Sequence, residues 1–305
     1  MRLPNLSAKL LWSLIGLLLA CPDARAGTEE KPAAPDFRLG FIKSLFREMA
    51  EAQMKSLFAP FCLLVESHTG QKCRLQVARD PCQLGQWLEN GEVEVGVYQG
   101  IEFAWICKEY ANLRPLVLAI NQDSQLQSQL VIRSDSQIKG FRDLKGKALA
   151  VPLFSHEHCY LFLQGKCGEN GHLDMEKFFS RVTAPPNAEE ALDDVVDGSL
   201  DGAVVDRVCL AGYQRRKPGR CARLKIIANS PLFPPMTVVY RAGRIEEAAV
   251  KVFRDKLLKT KENPITRTFL SLGKLTAFEA IPAEFAATLD AITRIYPRPK
   301  ILASK

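Results

Sequence analysis

Residues Leu88-Glu-Asn-Gly-Glu-Val-Glu-Val-Gly-Val-Tyr-Gln99 and, further along the chain, Val195-Val-Asp-Gly-Ser-Leu-Asp-Gly-Ala-Val-Val-Asp206 carry one pattern twice. Each reads as a helix end, a Gly stop, one spacer, an apolar residue, an acid, and then a buried strand. The alignment puts Gln99 and Asp206 at equivalent places, just past the carboxyl end of a strand. In open parallel sheets that is where ligands bind. Two such edges in a chain of 305 residues predict two α/β lobes facing each other across a cleft.

Around the first copy the chain alternates. Phe37–Ile42 reads as a strand, Leu45 to Leu57 as a helix, and Pro60 to Thr69 as a second helix stopped by Gly70. Cys73–Ala78 is a strand, Gln83 to Glu89 a helix after Asp80-Pro81, and Val93–Tyr98 the next strand. This β-α-β-α-β order calls for parallel pairing with right-handed crossovers. Pro115–Ile120 and Leu130–Arg133 read as extended segments leaving the first lobe. Phe141–Gly146 is a short helix, Lys147–Val151 a strand, and Asn187 or Ala188 opens a helix through Val196. Gly202–Val205, Leu224–Ala228 and Met236–Tyr240 are strands, and Ile245 to Tyr296 is mostly helical. The two extended crossings make a hinge.

The second-lobe stretch Leu149-Ala-Val-Pro-Leu-Phe-Ser-His-Glu-His-Cys-Tyr-Leu-Phe-Leu-Gln164 turns a strand into a helix. Pro152 stops ladder pairing, Ser155 is a good N-cap, and His158 to Gln164 continue as helix until Gly165. Free N–H groups and the helix dipole at such a turn favour an anion. Here two readings stand for Ser155, a helix cap or a ligand donor. His156 and His158 can donate to an anion when protonated. Glu157 in the first turn already satisfies the dipole, so it points outward or meets a cationic part of a zwitterionic ligand. Asp206 binds an amine or caps the next helix. Tyr98 and Phe41 are each cleft or core residues.

Other functions lack their signatures. His156 and His158 with Glu157 or His172 match no common zinc spacing, so no metal and no cofactor is expected. There is no Gly-x-Ser-x-Gly elbow and no Gly-rich phosphate loop. Ser155 with His158, or Cys159 beside His158, is the weak basis for a hydrolase reading. The cluster Arg215-Arg216-Lys217 with Arg220 and Arg223 reads as a solvated loop, and no nucleic-acid partner is expected.

Arg2 and Lys9 precede an apolar run from Leu10 to Ala20, and Ala24-Arg25-Ala26 follows as a cleavage site. Residues 1–26 therefore read as a signal peptide for export to the periplasm, and 27–36 as a flexible tether. Lipid anchoring at Cys21 is the rival reading. Cleavage at Ala26 removes Arg2, Lys9, Arg25 and Asp23 and lowers the formal charge from +7 to +5. It also leaves eight of the nine cysteines, four on each side of the chain's middle. Either each lobe closes its own bridges or several are buried thiols.

The stretch Leu130-Val-Ile-Arg-Ser-Asp-Ser-Gln-Ile-Lys-Gly-Phe-Arg-Asp-Leu-Lys-Gly-Lys-Ala-Leu-Ala-Val-Pro152 resembles the second-lobe entry of phosphonate/phosphite-type periplasmic binding proteins of ABC transporters. Phe58 through Lys72 looks like that family's first-lobe helix and Thr-Gly turn. Gly198 through Asp206, with Ala228 through Pro235, is similar to its second-lobe edge and return crossing. The resemblance covers roughly residues 37 to 280. It implies a bilobed periplasmic-binding-protein-like α/β fold, with two mixed, mostly parallel sheets flanked by helices and a two-strand hinge. Lobe 1 would be 37–120 plus 230–305 and lobe 2 would be 121–229. The implied function is an exported protein, a monomer and not an enzyme. It would capture a small oxyanion and hand it to an ABC permease. A sensor or scaffold domain signalling to another membrane or protein partner is the alternative. The family's Ser-Thr-Ser-Gly-type anion loop is replaced here by Phe154-Ser-His-Glu-His158, so only Ser155 carries over as a hydroxyl. Tyr98 and Asp206 fall where the family puts an aromatic and a ligand-facing acid. The expected ligand set is Phe41, Tyr98, Gln99, Ser155, His156, Glu157, His158 and Asp206, for an anionic or zwitterionic solute.

Overall fold

The computed structural model describes residues 36–299, except 47–49, 51, 57, 60–61, 63–65, 67–70, 122–124, 154, 156, 172–173, 263–266, 268–269 and 271–274. The signal segment and most of the tether lie outside these residues. So do His156, His172 and most of the helix expected from Pro60 to Thr69.

The first sheet holds β1 (Phe37–Ile42), β2 (Cys73–Ala78), β3 (Val95–Tyr98), β4 (Leu113–Ile120), β10 (Met236–Arg241) and β11 (Ala277–Glu279) in the order β11-β4-β10-β3-β1-β2. The second holds β5 (Ser128–Arg133), β6 (Ala148–Ala150), β7 (Arg181–Thr183), β8 (Gly202–Asp206) and β9 (Leu224–Asn229) in the order β7-β6-β8-β5-β9. Both are mixed. β1 pairs parallel with β2 and β3, and β6 pairs parallel with β7 and β8; the returning strands add antiparallel ladders. Helices cover both faces. These are α1 (Pro81–Asn90), α2 (Gly100–Ile106), α3 (Glu157–Glu169), α4 (Met175–Phe178), α5 (Ala188–Asp197), α6 (Arg207–Arg216), α7 (Pro218–Cys221), α8 (Glu247–Leu258) and α9 (Phe285–Ile295).

Strand sequences explain the layering. In β1, Leu39 and Phe41 face the core under α8, while Ile42 faces the core under α1 and α2. A strand covered on both faces reads as an apolar run, as Gly202–Asp206 does with all five residues buried. The second sheet is sandwiched in the same way. Leu130, Ile132 and Val204 pack on the α3 side, and Val131, Ala203 and Val205 on the α5 and α6 side.

The repeated sequence is a repeated structure. Gly91 and Gly198 close α1 and α5 at φ of 69° and 80°, the left-handed region that glycine enters without penalty. Glu94 accepts the Arg38 N–H at 2.6 Å and Asp201 accepts the Ala148 N–H at 2.9 Å, so each acid fixes the start of the neighbouring parallel strand. Gln99 and Asp206 then occupy the N-cap positions of α2 and α6 with nearly the same backbone angles, −65°/142° and −69°/144°.

The two chain segments linking the sheets hold each other. Leu126 and Phe233 form an antiparallel bridge, the Ser128 N–H donates to Ser230 Oγ at 2.9 Å, and Gln127 Nε2 donates to Ser230 O at 3.0 Å.

Several expectations need correction. Helix α3 does not stop at Gly165. It runs on to Glu169, and Gly165 is where the Tyr296 ring approaches, 3.0 Å from where a Cβ would stand. The buried helix α2 is absent from the sequence reading because Gly-Ile-Glu-Phe-Ala-Trp-Ile is apolar nearly all round and has no 3.6-residue contrast. Strands β7 and β11, three residues each, carry no period to detect. Of the two readings of the cysteines, each holds in part: Cys62 and Cys73 are joined, while Cys107, Cys159, Cys167 and Cys221 are thiols. Cys159 and Cys167 lie on one helix about 12 Å apart by helical rise, beyond bridging distance.

The basic cluster is not a solvated loop. Glu189, Asp193 and Asp197 line one face of α5. Arg216 and Lys217 reach Glu189 at 2.8 and 2.9 Å, Lys217 and Arg220 reach Asp193 at 2.6 Å, and Arg220 reaches Asp197 at 2.8 Å. Tyr213 also donates to Asp193 at 2.7 Å. Burial pushes the Asp193 carboxyl up, but Lys217, Tyr213 and Arg220 outweigh it and hold it below its ordinary range. A depressed carboxylate contributes stability above its unfolded pKa and loses it as pH falls. Asp193→Ala is expected to lower urea stability by about 1–2 kcal/mol at neutral pH, with the loss shrinking in acid.

Candidate functional site

Four of the eight expected residues converge where the mouths of the two sheets meet. Gln99, 6 % exposed at the end of β3, donates through Nε2 to Ser44 O at 3.0 Å. Its Oε1 accepts the Glu157 N–H, the first of α3, at 3.3 Å. His158, one residue on, points its Nε2 at Asp206 Oδ2 at 2.8 Å, and Asp206 Oδ1 accepts the Val208 N–H at 2.7 Å. Asp206 is therefore cap and ion-pair partner together. Gln99 follows β3 of the first sheet, Asp206 ends β8 of the second, and Glu157 and His158 open helix α3, which packs on that second sheet.

The His158–Asp206 pair is buried, with 2 % and 9 % of the side chains exposed. Burial alone disfavours the imidazolium. The neighbouring Cys159 sulfur and the hydrogen-bonded Asp206 carboxylate outweigh it and raise the His158 pKa to about 10. The His158 ring lies 5.5 Å from Phe233, which in turn lies 4.9 Å from Tyr296. Ser128, paired opposite Asp206, donates to Cys159 Sγ at 3.5 Å. Cys159 is fully buried among these groups, a poor place for a nucleophile that must meet substrate.

Ser155 is partly exposed in the loop before α3, and its N–H donates to Pro152 O at 2.9 Å. Two other expectations move inward. Phe41 is a core residue, its ring 4.3 Å from Phe58 under α8. Tyr98 is fully buried in the core under α1 and α2, 5.8 Å from Phe103. Side chains alternate along β3. Gln99 faces the mouth, and Tyr98 before it faces the lobe interior. Burial pushes the Tyr98 phenol well above its ordinary pKa, with Tyr110, Cys82, Glu102 and Asp80 adding to it, and its Oη has no hydrogen-bond partner among the described residues.

Ser44 and Glu102 also belong to this site, though no sequence motif marks them. Glu102 is 5 % exposed and accepts the Ser44 hydroxyl at 2.7 Å. Its signal was its place three residues after Gln99, where an acid faces a helix N-terminus. The mouth thus gathers Glu102, Glu157 and Asp206 around the buried His158. Among the described residues no group of three or more His, Cys, Asp or Glu is placed to hold a metal.

A family model described as "ABC transporter, phosphonate, periplasmic substrate-binding protein" matches residues 47–284. No curated protein matches the chain. Among solved structures, a Xanthomonas citri protein bound to chloride is 17 % identical, with TM-score 0.58, covering 85 % of this chain and 98 % of its own. A binding-protein component of a Pseudomonas aeruginosa ABC phosphonate transporter is 20 % identical, with TM-score 0.55 and coverage of 86 % and 85 %. The Prochlorococcus marinus protein PhnD1, in complex with methylphosphonate, is 12 % identical, with TM-score 0.56 and coverage of 85 % and 97 %. At these identities the likeness carries the fold.

Proposed function

The chain belongs to the periplasmic phosphonate substrate-binding family of ABC transporters, and from that premise we propose that it is an exported solute receptor. It captures a small phosphonate- or phosphate-like oxyanion between two lobes, residues 37–120 with 230–305 and residues 121–229, and delivers it to an ABC permease. The observation that supports this reading is the buried His158–Asp206 pair beside the first N–H of α3, at the mouths of both sheets. The imidazolium and that N–H supply a charge and a donor for an oxyanion.

Glu102, Glu157 and Asp206 favour a solute that also carries a cation, because an oxyanion alone would meet net negative charge there. Ser155, partly exposed just before α3, adds a hydroxyl donor in this reading.

Thermal unfolding of the purified protein against phosphate, phosphite, methylphosphonate, aminoalkylphosphonates and alkylsulfonates tests this. A solute at 100 times its dissociation constant adds about 2.7 kcal/mol. Aminoalkylphosphonates are expected to give the largest rise in Tm. No rise with any oxyanion would refute the reading.

A further inference from the structure

We propose that the Gln99 side chain is a built-in stand-in for the solute. It ties the mouths of the two sheets together with the chain's own atoms, and a solute oxyanion must displace it from α3. The competition half of this proposal rests on the solute-binding reading; the tie itself does not.

The geometry is that of a bridge. One amide group donates to the first-sheet side at Ser44 O, 3.0 Å, and accepts from the second-sheet side at Glu157 N–H, 3.3 Å. The N–H it takes is the first of a 13-residue helix, the donor that an anion seated on that helix would use. A primary amide offers a carbonyl oxygen there without bringing the negative charge that the three nearby carboxylates would oppose.

Apolar contacts close over the same gap. Leu161 of α3 belongs to the core cluster that contains Phe233 and Trp105, with Tyr296 packed against it. Trp105 Nε1 donates to Tyr296 O at 2.9 Å, and the Tyr296 ring meets α3 at Gly165. The C-terminal segment thus spans from the first-sheet helix α2 to the second-sheet helix α3 beside the Gln99 bridge. A solute that replaces Gln99 takes over one contact and leaves this packing in place.

The consequence is a reduced apparent affinity, because the binding-competent form is only a fraction of the population. Gln99→Met keeps the length of the side chain and removes both hydrogen bonds. Gln99→Asn keeps the amide and shortens its reach by one methylene. Hydrogen exchange, read residue by residue on the dialysed full chain, tests the tie without any solute. The Glu157 amide is expected to exchange at least about tenfold faster in both variants, while β8 amides stay unchanged as the control for folding. Equal Glu157 exchange in wild type and both variants would overturn the proposal.

Solute titration decides the competition. The solute giving the largest thermal shift is expected to bind Gln99→Met about tenfold more tightly than wild type. Weaker binding would make Gln99 a direct solute contact and refute the stand-in. If no solute binds either protein, the solute-binding reading fails, and the exchange rates still decide the tie.

Discussion

Asp206→Ala is expected to lower the unfolding free energy by about 3–5 kcal/mol, the cost of leaving one member of a buried ion pair without the other. Two losses coincide at this residue. Val208 N–H loses its cap acceptor at the start of α6, and His158 keeps its burial but loses the carboxylate 2.8 Å from Nε2. Asp206→Asn retains the shape and a cap oxygen, so it is expected to cost less. The pH profile separates pairing from packing. The His158 pKa is raised from 6.5 to about 10. Its contribution is therefore complete below about pH 6.5 and is lost as pH rises toward 10. Across that window the unfolding free energy of the wild type falls by up to about 1.4 kcal/mol per pH unit from this group. His158→Gln should remove that slope, and urea midpoints measured from pH 6 to 10 on both proteins give it by difference. The same slope in both would mean that the imidazole is neutral in the folded state and that the pair is a plain hydrogen bond.

What could be read from the sequence was what repeats or what punctuates. Gly91 and Gly198, the acids Glu94 and Asp201, and the caps Gln99 and Asp206 each have a local physical role, so the spacing between them survives as pattern. The two equivalent sheet mouths are therefore written in the chain itself. What it could not disclose depends on which way a side chain turns. Tyr98 and Gln99 are adjacent, and the pleat alone sends one into the core and the other across the gap. Phe41 likewise follows its strand into the core against Phe58. Glu102 and Ser44 lie 58 residues apart and meet only because β1 and β3 are neighbours in the sheet. Helix α2 left no periodic trace because it is covered on every side. The pairing of Asp193 with Lys217 and Arg220 needed the packing of α5 against α6 and α7, which no local pattern encodes.

Gly100→Ala is expected to destabilise the protein by about 2–3 kcal/mol, against the usual direction of that substitution in a helix. A Cβ at position 100 would stand 2.3 Å from Pro234 O and 2.4 Å from Pro235 O. Those are backbone atoms of the return crossing and cannot rotate away. Something must shift, and the crossing is held at Phe233 by its bridge to Leu126. Phe233 in turn lies under the His158 ring and against Tyr296, so the strain reaches the site as well as the fold. Gly168→Ala is the control within the same chain. It also lies in a helix, nothing stands within 4 Å of its missing Cβ, and there the substitution should stabilise by about 0.5–1 kcal/mol. Opposite signs at the two glycines, in urea unfolding of the two variants, are the expected result. A stabilised Gly100→Ala would mean that the crossing yields at little cost. The segment joining the sheets would then be loose, and the close seating of α2 on it would not be what holds the two mouths in register.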